Sequence, residues 1–280
     1  MTQRSARLPL LVGGACVAGM VLTAALALHD PGAQARDALT LQGFNSLSYS
    51  RLGWLAHLIV HAVDPVPYAV MGGGLAWICV GRDRPRVALA VAVVMVASVL
   101  TSDILKPLLA EQRNAGLPGH FQLGAASWPS GHATGAMALA LSAVLAAPRR
   151  WRPLAAALGT ALAVGVGYSL LMLVWHFPSD VLGGYLVAAL WMALAIAGLR
   201  WADARWPALT GRQAVGRAGG MLAPLAMAGL AGTAMLALVV AQPHEAATFA
   251  EAHKSFVVGA LVIAGVAWSL ATGLVVALRR

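Results

Sequence analysis

The sequence predicts an all-α, polytopic membrane bundle of about eight transmembrane helices with both termini on the cytoplasmic side. Three observations predict it. Of the 280 residues, 60% are hydrophobic and only 10% are charged, whereas soluble domains carry roughly 25% charge. A chain this apolar would expose more nonpolar surface than water tolerates, so lipid is its solvent. Eight runs come close to the ~20 apolar residues that a bilayer core requires: 8–29, 65–81, 87–107, 132–147, 154–175, 181–199, 220–241 and 256–278. Finally, the basic residues in the loops between these runs are strongly one-sided.

The first run is too long for the apolar part of a signal peptide, and His29-Asp30-Pro31 offers no small-residue cleavage site. It reads as a retained anchor. The 30–64 connection contains an interfacial amphipathic stretch, with Trp54, Leu55, Leu58 and Ile59 beside Arg51 and His57. Gly72-Gly73-Gly74 in the second run permits close helix approach. The fourth run is short at its inner end. Small residues such as Gly229, Ala231 and Gly232 suit the seventh to packing against another helix. Cys16 and Cys79 lie within apolar runs and read as buried free thiols.

With the N-terminus inside, the inner loops and ends carry 14 Lys and Arg residues against 5 outside. The net charge of +9 is then a topology signal rather than a nucleic-acid footprint. The same assignment puts all eight histidines outside: His29, His57, His61, His120, His132, His176, His244 and His253. Chemistry on the extracytoplasmic face follows as an expectation. The expected organisation is a six-span core over 1–199, a basic cytoplasmic linker over 200–219, and two further helices in 220–280.

Three polar clusters sit at the outer ends of the third to sixth runs. Lys106 and Arg113 lie seven residues apart as the third run ends, two cations able to clamp an anion. Trp128-Pro129-Ser130-Gly131-His132 precedes the fourth run. A helix starting there offers free N–H groups, the Ser130 hydroxyl and, at Gly131, close access to the backbone. His176-Phe177-Pro178-Ser179-Asp180 joins the fifth and sixth runs. Two imidazoles suffice for one nucleophile and one general acid, and Asp180 can hold the His176 ring in one tautomer.

These residues resemble the type 2 phosphatidic acid phosphatase superfamily, integral-membrane lipid phosphatases related to acid phosphatases and vanadium haloperoxidases. Its motifs are a Lys followed seven residues on by Arg-Pro, then Pro-Ser-Gly-His, then Ser-Arg, five residues, His, three residues, Asp. The match covers about residues 65–199. The resemblance implies a core of six transmembrane helices with the site near the outer surface. It implies that Lys106, Arg113, Ser130 and the Gly131 backbone bind phosphate. His176, oriented by Asp180, would attack phosphorus to form a phosphohistidine, and His132 would protonate the leaving group. No metal and no cofactor are expected, because cationic side chains neutralise the phosphoryl charge.

The sequence departs from the motifs twice. Asn114 replaces the Pro of the first, and Leu170 stands where the third has Arg. The lost guanidinium would have been a further cation on the phosphoryl group; Arg36, Arg51 or His120 are the residues that could compensate. The expected partner is a membrane lipid phosphate, such as a polyprenyl pyrophosphate, phosphatidic acid or phosphatidylglycerophosphate. The alternatives are a phosphotransferase, or a weakened member that binds or presents a phospholipid.

Other polar residues read as structural. His57, His61 and Asp64 have helical spacing and form an interfacial polar face. Asp103 can pair with Lys106 one turn on. Trp128 and Trp175 read as interfacial belt residues. His244, Glu245, Glu251, His253 and Lys254 read as a solvated connector.

Overall fold

A computed structural model describes residues 2–47, 52–113, 123–206 and 243–279. The described chain is helical: α1 (Thr2–His29), α2 (Pro31–Ser46), α3 (Leu52–His61), α4 (Pro65–Val80), α5 (Pro85–Leu108), α6 (Gly131–Ala146), α7 (Arg152–Met172), α8 (Pro178–Arg205), α9 (Pro243–Ala252) and α10 (Lys254–Ala277). Proline at the first or second position starts α2, α4, α5, α7 and α8, where its missing N–H costs nothing and its φ already suits a helix.

Five of these helices are long and apolar enough to cross a membrane: α1, α5, α7, α8 and α10. A sixth arises if α3 and α4, bent by 53° at their junction, count as one broken span. The expected spans 65–81 and 132–147 appear as the 16-residue helices α4 and α6. The expected seventh span, 220–241, lies outside the described residues. The 30–64 connection is more ordered than the sequence reading supposed. It holds α2, whose N-terminus is capped when the Asp30 carboxylate accepts from the Ala33 N–H at 2.7 Å, and α3, which packs against α7.

The short helix α6 is the centre of the bundle. Every residue of it except Gly131, His132 and Ala143 is buried. It lies against α4, α5, α7, α8 and α10. Its run of Ala, Gly and Ser is what such crowding requires, since small side chains let helix backbones approach. A Cβ at Gly159 on α7, for example, would sit 2.8 Å from that of Ala140. Sixteen residues span about 24 Å, less than the ~30 Å of a hydrocarbon core. The α6 start is recessed below the end of α5. The Ser102 hydroxyl, more than a turn before the end of α5, donates to the Pro129 carbonyl at 3.2 Å.

The last helix is part of the same packing, lying against α2, α6, α7 and α8. At the end of the bundle away from the α6 start, arginines cap helix C-termini. Arg84 donates to the Ala146 and Leu145 carbonyls at 3.0 and 3.3 Å. Arg152, Arg149 and Arg200 donate to the carbonyls of Leu278, Arg279 and Ala277.

Candidate functional site

At the recessed end the starts of α6 and α8 meet the ends of α5 and α7. The local chain is built for contact. The Ser130 N–H donates to the Asp180 carbonyl at 3.0 Å, tying the turn before α6 to the first turn of α8. Gly184 on α8 makes room for it, since a Cβ there would lie 2.7 Å from the Ser130 carbonyl oxygen. The fully buried Ser130 hydroxyl accepts from the Ala133 N–H at 3.3 Å and so caps α6. The Lys106 ammonium lies over the same helix start, 3.0 Å from where a Gly131 Cβ would stand. It also pairs with Asp103 at 3.4 Å.

His176 and Asp180 come together as their spacing suggested. His176 Nδ1 is 3.3 Å from Asp180 Oδ2, which also accepts from the Phe177 N–H at 2.9 Å. With Nδ1 engaged by a carboxylate, the proton sits there and Nε2 keeps its lone pair. His132 faces the site across its mouth, with Nε2 3.2 Å from Asp64 Oδ1.

Arg113 is placed differently from Lys106. Its side chain is only 3% exposed. It forms a short ion pair with Asp180, a looser one with Asp37 at 3.6 Å, and donates to Ser179 and Ser127 at 3.0 and 3.2 Å. It also stacks on Phe177, 4.7 Å from the ring centroid. Only its Nε–H is buried without a partner. Asp37, from α2, closes this network by accepting a short hydrogen bond from Ser179. Burial pushes the Asp37 carboxyl up to about 6, against the Ser179 hydrogen bond and the Arg113 charge that pull it down.

Leu170, where the third motif would carry Arg, is fully buried in the apolar core of α7. Of the three groups that could compensate, Arg36 is exposed on α2, and Arg51 and His120 lie outside the described residues. Among the described residues no group of three or more His, Cys, Asp or Glu side chains is placed to hold a metal.

Three participants escaped the sequence reading. Asp37 gave no signal, being one carboxylate in a helix with no motif. Ser179 was read only as part of the His176 segment. Asp64, expected on an interfacial polar face, joins His61 and His132, accepting from His61 Nδ1 at 2.9 Å. Those two hydrogen bonds hold its carboxyl below the usual carboxylate range. The Trp175 ring stands among His57, His61 and His132, with centroids 6.4, 6.1 and 5.9 Å away.

The PAP2 superfamily model matches residues 87–204, the stretch that holds α5 to α8 and all three polar clusters. This segment is similar to PAP2 proteins. The fold agrees: the chain superposes with a TM-score of 0.57 on the crystal structure of a transmembrane PAP2-type phosphatidylglycerolphosphate phosphatase from Bacillus subtilis. The match covers 71% of this chain and 98% of that one at 22% identity. No curated protein matches the chain. The protein is thus a multi-pass membrane protein with the PAP2 fold, and the described residues form the expected all-α bundle.

Proposed function

We propose that the protein is an integral-membrane lipid phosphatase that works through a phosphohistidine intermediate. The observation that carries this reading is the placing of His176, held by Asp180, beside the recessed α6 start where Lys106 and His132 converge. In this reading His176 Nε2 attacks phosphorus while the P–O bond to the lipid breaks. His132 gives its proton to the departing oxygen, which leaves as an alcohol or a shorter phosphate. Water then attacks the phosphohistidine, His132 takes up the water's proton, and inorganic phosphate is released.

Lys106 and the backbone at Gly131 supply donors to the phosphoryl oxygens, with Ser130 fixing the helix start. Arg113, buried against Asp180, Asp37, Ser179 and Ser127, orients Asp180 and so His176, and its charge lies beside the phosphate cluster. The substrate is a lipid phosphate or pyrophosphate in the outer leaflet of the cell membrane. Leu100, Ile104 and Leu108 form an exposed apolar ridge on α5, the helix that carries Lys106, as a lipid-facing surface requires. The fold relative, described as a phosphatidylglycerolphosphate phosphatase, supports a lipid substrate class.

The test is phosphate release by purified protein from phosphatidic acid, phosphatidylglycerophosphate and a polyprenyl pyrophosphate. Release is expected from the wild type and none above background from His176→Ala. Equal release by the two proteins would overturn the reading. Binding of these lipids without release would favour the phospholipid-binding alternative, which the absence of a guanidinium at Leu170 raises.

A further inference from the structure

His132 is held from outside the matched segment. Its Nε2 meets Asp64 Oδ1 at 3.2 Å, and the other oxygen of the same carboxylate meets His61 Nδ1 at 2.9 Å. Asp64 stands at the N-cap of α4, yet it makes no side-chain cap hydrogen bond there. Asp at this position ordinarily accepts from the second or third N–H of the helix. Here the third helical residue is Pro67, which has no N–H, and the first is Pro65. The Asp-Pro-Val-Pro sequence thus removes much of the carboxylate's local task and leaves it turned to the two imidazoles. Trp175 packs against both rings, which limits where they can swing.

We infer that Asp64 is the positioning residue of the general acid, doing for His132 what Asp180 does for His176. This rests on the phosphatase reading above. A carboxylate accepts but cannot donate, so it fixes the His132 proton on Nε2 and directs Nδ1 to the site. Burial disfavours the His132 imidazolium, and the adjacent Asp64 carboxylate opposes that when Nδ1 is also protonated. That Nδ1 proton passes to the oxygen leaving phosphorus as the P–O bond breaks and the His176–phosphorus bond forms. His132 is left neutral and takes a proton from the attacking water in the second step. His61, more than half exposed, holds the far oxygen of Asp64 and keeps the carboxylate aimed.

The consequence is selective. Protonation matters most when the leaving group is basic. Asp64→Asn should lower kcat for phosphatidic acid, whose leaving group is an alkoxide, about 10- to 100-fold. For para-nitrophenyl phosphate, which departs without a proton, the fall should be under about threefold. In a His132→Gln background Asp64→Asn should add no further loss, because the residue through which it acts is gone. Asp64→Glu tests the same point conservatively and should recover part of the alkyl-phosphate rate.

An equal fall on both substrates, or a further loss in the His132→Gln background, would assign Asp64 a structural role and overturn the inference. An Asp64→Asn protein with wild-type rates on both would overturn it too, while leaving the phosphatase reading intact. Failure of the wild type to release phosphate from either compound would instead remove the phosphatase reading, and this inference with it.

Discussion

Leu170 shows how a position can leave a motif and become part of a core. Its side chain is fully buried with the apolar face of α7, so this position presents hydrocarbon where the motif would present a cation. Restoring the motif by Leu170→Arg would place an unpaired cation in that core. The expected cost is at least about 3 kcal/mol, read as a lower unfolding midpoint in detergent without a gain in phosphate release. Asp37 makes the second prediction at this scale. Its folded value of about 6 lies above the ordinary 3.8, so the native state holds that proton more tightly than the unfolded chain. The stability this contributes is complete below about pH 4 and is lost as pH rises through about 6. Asn mimics the protonated form. Asp37→Asn should therefore be more stable than wild type at pH 7.5, by on the order of 2 kcal/mol, and about equal to it at pH 4. Thermal unfolding at the two pH values checks the sign.

Helix ends, rather than helix middles, organise this protein. The start of α6 is wedged against α8 at Gly184, where an added Cβ would stand 2.7 Å from the Ser130 carbonyl oxygen and 2.9 Å from the Thr134 nitrogen. Those are backbone atoms of the central helix and cannot rotate aside. Gly184→Ala should destabilise the bundle by about 1–3 kcal/mol. It should also lower phosphate release in the protein that remains folded, because the α6 start carries Ser130, Gly131 and His132 together. At the other end of α6, Arg84 caps two carbonyls. Arg84→Ala should cost about 1–2 kcal/mol and leave kcat nearly unchanged, since it acts a whole helix away from the histidines. Comparing kcat with unfolding midpoint in the two variants separates site geometry from general stability.

Among the described residues, the helix-capping arginines and the clustered imidazoles lie at opposite ends of the bundle. Arg84, Arg149, Arg152 and Arg200 cap helix ends on one side. On the other, His57, His61 and His132 gather around Trp175, and His29 pairs with Glu111 at 3.6 Å. In the proposed orientation, which follows the positive-inside rule, the arginine end is cytoplasmic and the candidate site is outside. The two native cysteines are buried and free, so replacing both by Ala gives a background for labelling. A cysteine introduced as Arg36→Cys, at an exposed position on α2, should react in intact cells with a membrane-impermeant maleimide. Trp206→Cys, at the exposed end of α8, should react only after the membrane is opened. The reverse pattern would invert the proposed orientation.

Much of this was legible in the amino-acid sequence alone, for a physical reason. Apolar run length, proline at helix starts and the loop arginines are properties of neighbouring residues, and they determined the helices, the membrane setting and the end at which the polar clusters lie. The pairing of His176 with Asp180 was legible too, because the two lie four residues apart across the bend that opens α8. What tertiary structure decided are the contacts between residues far apart in sequence. Arg113 meets Asp180 across 67 residues, His132 meets Asp64 across 68, and Ser179 meets Asp37 across 142. No local spacing encodes such partners. Only the burial of α6 among its neighbours, with its start recessed between the end of α5 and the start of α8, turns a cation of the first cluster toward Asp180. The same packing brings a carboxylate from outside the motifs to the second histidine.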